Sequence, residues 1–183
     1  MKRVSFAIVL ACALWSTSYA QAPKTPRGTA TDVTNADIMA VVSKMTTPVS
    51  DIQIRVAGIE NQPNIGIGVV RRAKPAGANS IEHSQISEIY HVIRGTATLV
   101  TGGTMENPRE SAPDSQVVKV LNGPSTGGGK VANGVSRTMT VGDVVIIPPN
   151  TPHWFSSIDT EDIVYLVVRV DPHKVLPAGY GAK

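Results

Sequence analysis

From residue 52 to residue 170, short β-branched runs are cut again and again by glycine turn signals. The runs are 52–56, 64–71, 88–94, 96–101, 117–121, 136–140, 144–148 and 163–170. The cuts between them include Gly95, Gly102-Gly103, Asn122-Gly123, Gly127-Gly128-Gly129, Asn133-Gly134 and Gly142-Asp143. Such pairs supply the positive φ that tight hairpins require. Short strands in this succession, with no helix between them, predict an all-β, antiparallel sandwich or barrel. Composition points the same way: 16 glycines and 13 prolines accompany only 17% charged residues, whereas a helical bundle wants more Glu, Lys, Leu and Ala. A chain of 183 residues is long enough to bury one real core.

The first twenty residues read as a signal peptide. Lys2 and Arg3 open it, an apolar run from Ser5 to Trp15 is too short to span a bilayer, and Ser18-Tyr19-Ala20 offers a cleavage site. The expectation is an exported protein, periplasmic or secreted, with no membrane attachment after cleavage. Cys12, the only cysteine, would leave with the signal, so no disulfide would help to hold the mature fold. Removal of Lys2 and Arg3 would also bring the net charge from +3 to about +1. With so even a balance, and with only two Trp, four Tyr and two Phe, neither a basic stripe nor a stacking platform for nucleic acid is expected.

Residues 21–31 read as a flexible leader, 32–175 as the barrel domain and 176–183 as a tail. One helix is expected, over 32–45. Thr34 and Asp37 stand at capping-box spacing, and Ile38, Val41, Val42 and Met45 form a single apolar stripe suited to packing on the barrel. Residues 104–114 and the glycine-rich 124–135 are expected to be surface loops.

Two segments carry chemistry. In the first, His83 is followed by Glu88, Tyr90, His91 and Gly95; in the second, Gly142 is followed by Pro148, Asn150, His153, Trp154 and Phe155. Neutral imidazoles with a carboxylate suit a borderline divalent cation. These segments resemble the two motifs of the cupin superfamily. His83, Glu88 and Gly95 match the first motif, and Gly142, Pro148 and His153 the second, over about residues 64–170. The resemblance implies a jelly-roll barrel, a metal site made of His83, Glu88 and His153, and a possible homodimer through sheet packing. It also has gaps. Ile81 stands where the family has its first histidine, Pro75 where it has the opening glycine, Asn150 for a glycine and Ser157 for the final asparagine.

The divalent ion would be iron, manganese, zinc or nickel, and the ligand or substrate a small organic molecule, neither phosphorylated nor strongly anionic. Tyr90 shares the face of Glu88 and is the catalytic acid/base candidate; in some cupin lyases a tyrosine at this offset is the base. Phe155 should wall the pocket, and Trp154 should point away, onto the helix or a partner chain. His91 should face the other side of its strand, and His173 solvent. Three readings stay open: a metal-dependent dioxygenase, isomerase or lyase; a small-molecule-binding cupin that has lost its metal; or a structural or interaction module, marked by a barrel filled with its own side chains.

Overall fold

The computed structural model describes residues 29–181. The signal segment 1–20, Cys12 and most of the leader 21–31 lie outside the described residues. Among the described residues there are thirteen strands and one α-helix. They are α1 (Asn35–Val42), β1 (Val49–Ala57), β2 (Asn64–Ala73), β3 (Ser80–His83), β4 (Ser87–Arg94), β5 (Ala97–Thr101), β6 (Thr104–Met105), β7 (Arg109–Glu110), β8 (Ser125–Gly128), β9 (Val131–Ala132), β10 (Val135–Met139), β11 (Val144–Ile147), β12 (His153–Ile158) and β13 (Asp162–Asp171). A five-stranded sheet in the order β1-β2-β13-β4-β11 faces a six-stranded sheet in the order β10-β5-β12-β3-β8-β7, and β6 pairs with β9 apart from both. Every pairing is antiparallel. The fold is the all-β jelly-roll barrel that the motifs imply.

Strand alternation sorts the side chains. Val70, Tyr90, Val92, Leu99, Phe155, Ile163, Tyr165 and Val167 fill the space between the sheets. Residues of opposite parity in the five-stranded sheet, among them Ile52, Val69, Val164 and Leu166, instead meet Ile38, Val41 and Val42 of α1, with Met45 just beyond it. The helix therefore lies outside the barrel. The Thr34 hydroxyl accepts from Asp37 N, and the Asp37 carboxylate accepts from Thr34 N, both at 3.1 Å, which completes the predicted capping box. Asn150 adopts φ 57°, the left-handed conformation expected of a residue in a glycine's place. Gly95, at φ 84°, also has no room for a Cβ, which would strike the Asp162 carbonyl.

Three stretches differ from expectation. Residues 104–114 are not all loop: they carry β6, paired with β9, and β7, paired with β8. Residues 117–121 are not a strand: Val117–Asn122 form a π-helical turn. The Ser115 side chain accepts from Val118 N and its carbonyl accepts from Lys119 N, which satisfies that backbone locally and starts a helical turn. The glycine-rich stretch is not wholly loop either. Its first part is β8, seated between β3 and β7, and a Cβ at Gly128 would collide with the Met105 side chain. Glycine here permits close packing as well as flexibility.

Candidate metal centre

Three strands deliver the three expected ligands to one point. His83 ends β3, Glu88 stands near the start of β4, and His153 opens β12 opposite Ile81. All three are at most 3% exposed. One ligand atom from each lies within 4.8 Å of the others, and both Nε2 atoms are 3.4 Å from Glu88 Oε2.

The outer hydrogen bonds fix which lone pairs face inward. Ser125 Oγ donates to the Gly123 carbonyl at 2.8 Å, so its single proton is committed and it accepts from His83 Nδ1, also at 2.8 Å. The Thr151 carbonyl, which can only accept, takes the Nδ1 proton of His153 at 2.9 Å. In the neutral form either ring thus turns its Nε2 lone pair toward the Glu88 carboxylate. Burial pulls the His83 pKa below its ordinary value, more strongly than Glu88 raises it, and this favours the neutral ring. Three lone pairs then converge with no proton between them, and neither Nε2 has a hydrogen-bond partner among the described residues. The two imidazole–carboxylate separations of 3.4 Å are those of ligands that could share one cation, and all three atoms stay within 4.8 Å of one another. The donor set fits a divalent ion.

The carboxylate is itself held. Arg169 Nε donates to Glu88 Oε1 at 3.2 Å, and the Tyr90 hydroxyl donates to Oε2 at 2.7 Å. Arg169 is fully buried; its other nitrogens reach Gln53 Oε1 and Asp51 Oδ2, both at 2.6 Å. Burial alone would raise the Glu88 pKa. The His83 and His153 rings, when they carry a proton, and the Arg169 guanidinium outweigh it and hold the carboxyl well below its usual range.

Sequence reading missed Arg169, Asp51, Gln53 and Ser125. A signal for the first was present: the interleaved glycines of β2. A Cβ at Gly68 would stand 2.8 Å from Arg169 Nη1, and one at Gly66 would stand 2.5 Å from Gln53 Nε2. Two glycines of one parity inside a strand announce something bulky against that face. Ser125 stays hidden because the glycines around it read as loop, whereas the segment is β8.

Tyr90 is buried beside the centre, and its ring lies 6.0 Å from that of His153. Burial first, and the Glu88 charge next, push its pKa well up, so its hydroxyl keeps its proton. Phe155 packs in the barrel against Tyr165, as a wall residue should. Trp154 sits on the six-stranded sheet, whereas α1 covers the five-stranded one, so it does not pack on the helix. His91 lies on the outer face with Ile93 and Leu166 beneath α1, away from the centre, and His173 is exposed. Ile81, on the parity of His83, brings no donor atom to the place of the family's first histidine.

Comparison with known proteins matches residues 50–180 to the family described as Cupin. Among solved structures, the chain is similar to the DMSP lyase DddQ from Ruegeria pomeroyi DSS-3, with 18% identity, 74% of this chain and 54% of that chain covered, and a TM-score of 0.43. It is similar to KdgF from Halomonas sp., with 12% identity, 72% and 86% coverage and a TM-score of 0.42. A cupin protein from Bacteroides fragilis aligns with 15% identity, 63% and 70% coverage and a TM-score of 0.37. The chain spans about half the length of DddQ. Among curated protein sequences no significant match is found.

Proposed function

The chain belongs to the cupin family, and from that premise we propose that it is an exported metal-dependent enzyme acting on a small organic molecule. The observation that carries the reading is the pair of buried, partnerless Nε2 atoms aimed at one carboxylate oxygen. His83, Glu88 and His153 hold the ion, with iron, manganese, zinc or nickel all suited to two imidazoles and a carboxylate. A divalent ion supplies Lewis acidity toward a substrate oxygen.

The chain's own residues do the rest. Ser125 and Thr151 set the imidazole tautomers, and Arg169 occupies Oε1 while Oε2 is left on the side of the two Nε2 atoms. Tyr90 holds a proton at its hydroxyl next to Oε2 and is the acid/base candidate. The reaction is of dioxygenase, isomerase or lyase type. Export is supported by Lys2, Arg3, the apolar run and Ala20. Pairing with a second copy is supported by the exposed Val144 and Ile146 on β11, an edge strand. One observation favours a second reading, a small-molecule-binding cupin without metal: Ile81 in place of the family's first histidine.

Titration of chelator-stripped protein with zinc, manganese, nickel and ferrous ions, followed by calorimetry, decides between the two. The enzyme reading expects one ion per chain. Glu88→Gln and His153→Ala should each weaken binding more than about 100-fold, beyond the loss that an outer hydrogen bond causes. Absence of saturable binding in the parent would leave the second reading standing.

A further inference from the structure

Beyond the metal centre, one charge inside the barrel has no counter-ion. Arg72 lies on β2 with the parity of Gly66, Gly68 and Val70, the positions that face the interior. Its Nε donates to the Tyr165 hydroxyl at 3.1 Å, and its guanidinium sits 5.7 Å from the centroid of the buried Phe155 ring. Tyr165 is 1% exposed, and its ring packs on Tyr90 with centroids 4.4 Å apart. A continuous path therefore runs from Glu88 through Tyr90 and Tyr165 to Arg72. No carboxylate among the described residues pairs with this guanidinium: the ion pairs of the barrel belong to Arg169, and those of Asp162 to Arg71 and Arg94. Neither Nη atom of Arg72 has a hydrogen bond to a described residue. Arg72 is half-buried, whereas Arg169 is sealed in.

A phenol and an aromatic face orient a guanidinium but do not neutralise it. A cation fixed in this way, with two parallel N–H donors unused, matches a planar carboxylate in a bidentate contact. It does not match a phosphate dianion as well. A single arginine would have to balance two charges, in a barrel that already holds Asp51 and Glu88, while Arg169 is committed to those carboxylates.

We propose that Arg72 is the carboxylate anchor of the barrel and that the ligand is a small monocarboxylic acid. The anchor stands on Arg72, Tyr165 and Phe155 alone. Any chemistry on the bound acid rests on the metal-enzyme reading above.

Straight-chain monocarboxylic acids of two to six carbons, and the matching amides, provide the probe. Their binding is followed by ligand-observed NMR on metal-free protein and on protein loaded with zinc. The Nε–H signal of Arg72 in the parent reports on the anchor directly. The acids should bind about tenfold or more tightly than the amides in both forms and shift that signal. Arg72→Gln should abolish the preference, Arg72→Lys should keep part of it, and both should leave zinc stoichiometry unchanged. Tyr165→Phe, which frees Nε, should weaken acid binding without removing it. Equal binding of acid and amide, binding of neither, or an acid preference that survives in Arg72→Gln would overturn the proposal. If Arg72→Gln does not fold, the parent's Arg72 signal and Arg72→Lys carry the test. Failure to load zinc while the metal-free protein keeps its Arg72-dependent preference would strike the metal reading and leave the anchor standing.

Discussion

At the scale of single residues, the centre depends on protons being placed outside it. His83 and His153 could each present either nitrogen inward. Ser125 and the Thr151 carbonyl choose Nε2 by taking the Nδ1 proton. Ser125→Ala removes one of these choices without touching the ion's ligands, and it should weaken metal affinity about 10–100-fold while the fold is kept, as calorimetric titration will report. An unchanged affinity would mean that ring packing alone orients His83. The ligands themselves could be read from the sequence because their spacing is local and the resemblance names their roles. Ser125 could not, because it reaches His83 across a β3–β8 pairing that no short window contains. Arg169 was equally remote: it meets Glu88 only through the β13–β4 register and Gln53 and Asp51 only through β1.

Elements show a second division. Strands with clean alternation or strong β-branched runs, such as β2, β4, β11 and β13, lie where the pattern predicts them, and so does the capped helix. The failures have local causes. Ser115 turns an apolar run into a π-helical turn, and close packing against Met105 turns glycines into a strand. One device ties three strands together. Asp162 at the head of β13 receives Arg71 Nε from β2 at 2.7 Å and Arg94 Nε from β4 at 2.9 Å. Burial would raise its pKa, but the bonds from Arg94 and Arg71 outweigh burial and hold it below the ordinary 3.8. A carboxyl depressed on folding adds stability that is complete above its unfolded pKa and is lost as pH falls through the folded one. Urea denaturation should therefore show the parent's advantage over Asp162→Asn shrinking as pH is lowered from about 5 toward about 3. A gap that stays constant over that range would remove Asp162 from the acid limb.

For the whole molecule, the barrel works as a device for convergence. His83 and His153 come from the six-stranded sheet and Glu88 from the five-stranded one, so the centre exists only when the two sheets close on each other. The charged interior, with Arg169 at the carboxylate and Arg72 beyond the tyrosines, was invisible to composition because Arg169 sits in a run that reads as plain strand and Arg72 directly follows another. The metal-enzyme reading of this barrel depends on one ion being held between the sheets. A crystal of the zinc-loaded protein, with data collected on both sides of the zinc absorption edge, tests that directly. The account predicts one strong anomalous peak per chain, about 2.0–2.2 Å from His83 Nε2, His153 Nε2 and a Glu88 oxygen. A peak bound elsewhere, or ligation through either Nδ1, would contradict it.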